Sequence, residues 1–302
     1  KNAVENKANF NSGYSLNLVL TEDKNHRIDF EESEKNRLGH LTLKNDVTIQ
    51  NAIHVGRLDS NGHSMVVEGN MFSDDNVDLN GGTLKVNGSL YHSYGEMFLN
   101  RGKIEIAENY YCMGSDSDLT PGEETITDAG AYLKMIYNAD EMRVGGDFLI
   151  KSGTPYGDLT AGTLYVGGDF TQLEGRNHGF EPTDGHKTVL NGTGKQIISF
   201  EDDWNGFGTL EATNDQLVFE KNVNWKKQVS DIHAVSNGSK IDGDNVNLNG
   251  YELTIDGNIG VCSNTIDINN GIMTVNGSLN HYSGGCTART SRAAWRTRRC
   301  SA

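Results

Sequence analysis

Leu79-Asn-Gly-Gly-Thr-Leu84-Lys-Val86-Asn-Gly88-Ser-Leu90 is written into this chain several times over. Leu159-Thr-Ala-Gly-Thr-Leu164-Tyr-Val166-Gly-Gly168-Asp-Phe170 repeats it, as do Leu248…Leu253-Thr-Ile255-Asp-Gly257-Asn-Ile259 and Ile268…Met273-Thr-Val275-Asn-Gly277-Ser-Leu279. Weaker copies are Leu99…Ile104-Glu-Ile106, Tyr137…Met142-Arg-Val144-Gly-Gly146-Asp-Phe148 and Met65-Val-Val67-Glu-Gly69-Asn-Met71. The second core residue of each copy (Val67, Val86, Ile106, Val144, Val166, Ile255, Val275) marks a period of roughly 20 residues, with the longer gaps read as near multiples of it. Within a copy the apolar residues alternate over a short run, the period of a β-strand. Each run ends at Gly, Asn or Asp, residues that turn the chain at low steric cost.

A unit of this kind cannot bury its apolar face alone, so it stacks on the next unit about 4.8 Å away. The pattern predicts an all-β, right-handed parallel β-helix with coils of about 20 residues. Leu84, Val86, Leu90 and their equivalents form the inward column. Asn80, Asn100, Asn249 and Asn269 recur at one phase and are expected to bond to one another in a ladder. Residues 1–40 read as an N-terminal cap with the first irregular strands, and 41–286 as the helix. The Arg-rich stretch 287–302 departs abruptly from the acidic repeats and reads as an atypical tail, either a vector-derived or frameshifted end or a basic interaction arm.

At 302 residues the chain exceeds the usual single core, and a solenoid escapes that limit by stacking. The 36 Gly, the 3 Pro and a mean hydropathy of -0.55 suit short strands with many turns. A net charge of -15 argues against nucleic acid and anionic membrane surfaces as partners. Lys1 is no natural start, so the chain is expected to be a piece of a longer protein. The four cysteines (Cys112, Cys262, Cys286, Cys300) have no metal-ligand spacing, and only Cys262 and Cys286 suggest a pair.

Three insertions, 112–130, 151–158 and 172–185, follow strands at one phase of the repeat. They are expected to stack into a wall beside one face, and binding residues concentrate on loops held by a rigid scaffold. The outward position between the two core residues forms a second ladder: Val66, Lys85, Glu105, Arg143, Tyr165, Thr254 and Thr274. Charges mixed with an aromatic suit a polyhydroxylated chain, because sugars stack on flat rings and hydrogen-bond charged side chains. The candidate ligand-binding residues are Tyr94, Tyr156, Tyr165, Lys85, Glu105, Arg143, Tyr91, Tyr110 and His178, with Tyr111 and Phe170 as packing residues. The acidic loop carrying Asp116, Asp118 and Glu123 is a candidate calcium site, since calcium takes six to eight oxygens; the reading requires no cofactor. Hydrolysis of a glycoside needs paired carboxylates, and Asp202-Asp203, Asp184-Gly-His186 and Asn177-His178-Gly179 are fragments of such patterns without their companions.

Gly162-Thr-Leu-Tyr-Val-Gly-Gly-Asp-Phe-Thr-Gln172, His186-Lys-Thr-Val-Leu-Asn-Gly-Thr-Gly-Lys-Gln196 and Asn270-Gly-Ile-Met-Thr-Val-Asn-Gly-Ser-Leu279 resemble repeats of secreted and surface proteins of anaerobic gut Firmicutes. Over roughly residues 60–280 the chain resembles carbohydrate-binding module family 89, a β-helical family that binds xylan and accompanies xylanases. The resemblance implies a secreted or cell-surface, monomeric, non-catalytic xylan-binding module whose parent chain carries a catalytic module. No binding motif matches residue by residue. The alternatives are a bacterial surface adhesin or spacer solenoid, and a β-helix polysaccharide lyase or hydrolase.

Overall fold

A computed structural model describes residues 13, 16–21, 24–30, 36–113, 130–151, 157–173, 179–183, 185–200 and 207, and the backbone of the strands between 209 and 297. Every described element is a β-strand and every pairing is parallel, with coils of about 21 residues stacked as a β-solenoid. The front sheet has nine strands: β2 (His26–Ile28), β4 (Val47–Ile49), β6 (Ser64–Val67), β9 (Thr83–Val86), β12 (Lys103–Ile106), β15 (Glu141–Val144), β17 (Thr163–Val166), β19 (Lys187–Leu190) and β21 (Thr209–Ala212).

The back face stacks β1 (Asn17–Leu20), β3 (Arg37–Leu43), β5 (Ile53–Asp59), β7 (Met71–Ser73), β10 (Leu90–His92), β13 (Tyr110–Cys112), β16 (Phe148–Ile150), β18 (Phe170–Gln172), β20 (Gln196–Phe200) and β22 (Gln216–Glu220). It continues into β24 (Glu252–Asp256), β27 (Ile272–Val275) and β29 (Ala294–Thr297). Strand β5 is long enough to pair with β7 at one end and with β8 (Val77–Asp78) at the other. From β8 a side face runs through β11 (Gly95–Phe98) and β14 (Ala131–Lys134). One coil therefore runs front, back, side and front again. Two further pairs, β23 (Asn245–Asn247) with β26 (Thr265–Asp267) and β25 (Ile259–Cys262) with β28 (Leu279–Tyr282), lie in the C-terminal repeats.

Alternation does what its period demands. Leu84 and Val86 are fully buried while Lys85 between them is exposed, and the same holds for Ile104, Glu105 and Ile106. On the back face Leu90, Tyr110, Phe148, Phe170 and Ile198 are successive register partners. Tyr110, Phe148 and Phe170 form an internal stack with centroids 5.3 and 5.1 Å apart. Phe180 and Phe207 meet Phe170 edge-on at 4.9 and 5.0 Å, the tilted geometry that ring quadrupoles favour.

Three expectations are corrected. The step of 38 residues between Ile106 and Val144 is a single coil, because β12 pairs directly with β15; the extra length is the insertion that begins after β13. The asparagines Asn61, Asn80 and Asn100 do stack, but they do not bond to one another. All three sit in the left-handed region (φ 50, 42 and 46°), where Asn is tolerated because its short side chain bonds locally. Asn100 donates to Asp78 Oδ1 (3.0 Å) and Asn61 to the Leu43 carbonyl (3.0 Å). Asn249 and Asn269 lie outside the described residues.

A polar ladder exists at another corner. The residue preceding each back-face strand accepts the amide of the next coil: Ser89 N–H to Asn70 (2.9 Å), Asp147 N–H to Asn109 (2.7 Å) and Asp169 N–H to Asp147 (2.8 Å). These side chains satisfy backbone donors at a turn, where no strand partner is present. Third, the repeats at Ile255 and Val275 do not rejoin the front sheet; β24 pairs with β22 on the back face. Leu253-Thr-Ile255 alternates equally well on either face, so local pattern cannot choose between them.

Strands β1 and β2 already pair with β3 and β4, so residues from Asn17 onward extend the stack rather than only covering it. Cys112 is a buried free thiol, and the other three cysteine side chains lie outside the described residues.

Candidate functional site

The outward row of the front sheet runs Val66, Lys85, Glu105, Arg143, Tyr165 and Val189, each the register partner of the next. Lys85, Glu105, Arg143 and Tyr165 line a lateral cleft of about 540 Å³, together with a rim at the end of the same strands: Ala107, Gly145, Gly167 and Asn191-Gly-Thr193. Strand spacing makes the row from Lys85 to Tyr165 roughly 14 Å long.

The glycines of the rim are there because the corner is tight. A Cβ on Gly145 would lie 2.4 Å from the Ala107 carbonyl oxygen, one on Gly167 2.4 Å from that of Gly145, and one on Gly192 2.4 Å from that of Gly167. Close stacking excludes side chains at these three positions and leaves backbone there as part of the cleft wall. The sequence signal lies in the doublets Gly145-Gly146 and Gly167-Gly168 and in Asn191-Gly192, residues that a turn alone would also explain. Gly167→Ala is expected to force the two coils apart, costing about 1–3 kcal/mol. Urea unfolding checks this, and an unchanged midpoint would show that the corner relaxes freely.

The charges on the floor are ordered unequally. Arg143 donates from Nε to Glu141 Oε1 (2.9 Å), and its guanidinium carbon lies 3.8 Å from the centre of the Tyr165 ring. Glu141 also faces Lys103 at 3.7 Å. The hydrogen bond from Arg143 is the main reason the Glu141 carboxyl is held below its ordinary range. Lys85 and Glu105 are neighbours across the sheet, yet among the described residues neither makes an ion pair.

Tyr165 thus stands in the cleft as expected, but one ring face carries Arg143 and Val189 is its in-register neighbour on the other side. The face taken by Arg143 is lost to a stacking ligand, and the Tyr165 side chain is also a hydrogen-bond partner of Arg143.

Other expected site residues fall elsewhere. Tyr110 is fully buried, with its hydroxyl 3.0 Å from His92 Nδ1, because β13 points Tyr110 and Cys112 inward and Tyr111 outward. The packing role expected of Tyr111 belongs to Tyr110, and Tyr110 is not available to a ligand. Tyr91 lies on the outside of the back face, sandwiched between Phe72 (4.8 Å) and Tyr111 (4.9 Å) in a stack that begins at His54. Its ring faces are occupied by protein. Tyr94 is 56% exposed at the corner between back and side faces, beside Gly130. Tyr156, His178, Asp116, Asp118 and Glu123 lie outside the described residues. Thr254 and Thr274 belong to strands of the back face.

The three insertions leave at one phase, since Cys112, Ile150 and Gln172, which end β13, β16 and β18, are register partners. That corner is at the far end of the back-face strands from the cleft. The points at which the insertions depart are separated from the ladder by the width of the back face, and residues 114–129, 152–156, 174–178 and 184 lie outside the described residues.

Among the described residues no group of three His, Cys, Asp or Glu side chains is placed to hold a metal ion. No described helix is long and apolar enough to cross a membrane. Fold and cleft define a β-solenoid with one lateral groove of mixed charge. No family model matches the chain, and no curated protein or solved structure does.

Proposed function

We propose that this chain is a non-catalytic carbohydrate-binding module for a plant cell-wall polysaccharide, xylan first, that keeps an attached glycoside hydrolase on its substrate. The observation that carries the reading is the open cleft lined by Lys85, Glu105, Arg143 and Tyr165, a long shallow groove floored by hydrogen-bonding side chains. Its glycine-rich rim suits a polymer that passes through rather than a ligand that must be enclosed. Among the described residues Glu105 is the one carboxylate lining the cleft, set between Lys85 and Arg143 in the row, while Glu141 is engaged by Arg143. Hydrolysis uses two carboxylates flanking the scissile bond, so this floor favours holding a chain over cutting it. Function follows by effective concentration: a bound module raises the local substrate seen by its tethered enzyme. The adhesin or spacer reading rests on the solenoid alone and gives the cleft no role.

Affinity gel electrophoresis against xylan, β-glucan, mannan, pectin and cellulose, with product analysis on the same mixtures, tests this. Xylan is expected to retard the protein without new reducing ends. Lys85→Ala and Tyr165→Ala are expected to weaken retardation severalfold, and Tyr94→Ala, remote from the cleft, to leave it unchanged. Equal retardation of the cleft variants and the parent would remove the site from the cleft. New reducing ends would make the protein an enzyme.

A further inference from the structure

We infer that the cleft selects a glycan bearing sparse carboxylates, a uronate-substituted chain, with Arg143 as the residue that grips the acid. The inference rests on the polysaccharide-binding reading above and adds the class of chain. Arg143 is anchored on two sides: Nε is held by Glu141 at 2.9 Å, and the guanidinium lies 3.8 Å from the Tyr165 ring centre. A guanidinium fixed in this way has lost its rotamer freedom before any ligand arrives. Nε is engaged by Glu141 and the guanidinium also interacts with the Tyr165 side chain, and Arg143 still lines the cleft, so the outer edge of a fixed guanidinium borders it. A planar fork with that geometry matches a carboxylate and gives a stronger bond to it than to a hydroxyl.

Lys85 supplies a second cation two strands away, at roughly 10 Å, with no ion-pair partner among the described residues. Glu105 stands between the two cations in the row, and it would repel an acid placed on every sugar. The alternation of cation, anion and cation therefore fits a mostly neutral chain with occasional acids. It does not fit a dense polyanion, which the net charge of -15 also opposes. That wider charge is screened beyond about 8 Å at physiological salt, so the cleft's own side chains decide.

The test uses the whole chain with glucuronoxylan and the same polymer after chemical reduction of its carboxyl groups. Glucuronoxylan is expected to bind at least tenfold more tightly. The difference is expected to shrink with added salt and to vanish in Arg143→Ala, with Arg143→Lys recovering only part of it. Lys85→Ala gives an independent reading, lowering the preference with Arg143 intact. Equal affinity for the two polymers would overturn the uronate inference and leave polysaccharide binding standing. Binding to neither, nor to any polymer of the wider panel, would overturn both.

Discussion

Phe170→Ala is expected to destabilise the protein by about 3–5 kcal/mol, the range for truncating a buried phenylalanine. Phe170 is fully buried and touches four other rings, with centroids at 5.1 Å for Phe148, 4.9 Å for Phe180, 5.0 Å for Phe207 and 5.4 Å for Phe200. Those rings come from strands and connections that span several coils. Each coil of a solenoid is stabilised by its neighbours, so a cavity at this junction loosens the coils on both sides. Unfolding is then expected to lose its single transition, with the coils around β18 opening at lower urea than those around β9. Tyr91→Ala, in the outer stack, should cost less because its ring is only half-buried. Circular dichroism across a urea series measures both variants. A loss below about 1 kcal/mol for Phe170→Ala would mean that the cluster is not a packed unit.

Acid is the second large lever. His92 is buried, its Nε2 hydrogen bond goes to the Gly95 carbonyl (2.9 Å), and its Nδ1 faces the Tyr110 hydroxyl (3.0 Å). Burial lowers its pKa to about 4. His186 bonds the Ala161 carbonyl through Nδ1 (2.9 Å), while Nε2 has no hydrogen-bond partner among the described residues and the ring lies edge-on to Phe180. Its pKa is also lowered by burial to about 4. In each case the unfolded chain, titrating near 6.5, binds the proton more readily than the folded one. The associated stability is complete above about pH 6.5, falls as pH drops toward 4, and stays lost below. Each histidine is worth on the order of 3 kcal/mol across that window.

Asp74, Asp140 and Asp158, whose carboxyls are raised by burial, act in the opposite sense and offset part of the loss at lower pH. Urea midpoints at pH 7, 5.5 and 4.5 are expected to fall steeply for the parent and less steeply for His92→Gln and His186→Gln. A variant profile parallel to the parent's would show that neither imidazole drives the acid response.

The ladder of the front sheet was legible in the sequence because a strand alternates with period two and the coil repeats. Once Leu84 and Val86 face inward, Lys85 must face outward, and the recurrence of the motif stacks it beside Glu105, Arg143 and Tyr165. The same logic failed at Tyr110-Tyr111. Two adjacent tyrosines fit either phase, and only the pairing with Leu90 and Phe148 decides which one enters the core. The aromatic chemistry of the site is hidden from the sequence for a related reason. A ladder position places a ring in a row, but whether its face is free depends on what the next coil puts against it, here Arg143 over Tyr165 and Tyr111 over Tyr91.

Repetition, strand period and turn residues, all local properties, thus determined the solenoid, the inward column and the phase at which the insertions leave. Tertiary structure alone decided that the 38-residue step is one coil, that the insertions depart from the end of the back face opposite the charged row, and that a glycine-rich rim borders the cleft. The reason is physical. Alternation sets which way a side chain points, whereas a cleft is made by how closely successive coils approach at a corner, and that distance is fixed only when the backbone of one coil meets the carbonyls of the last.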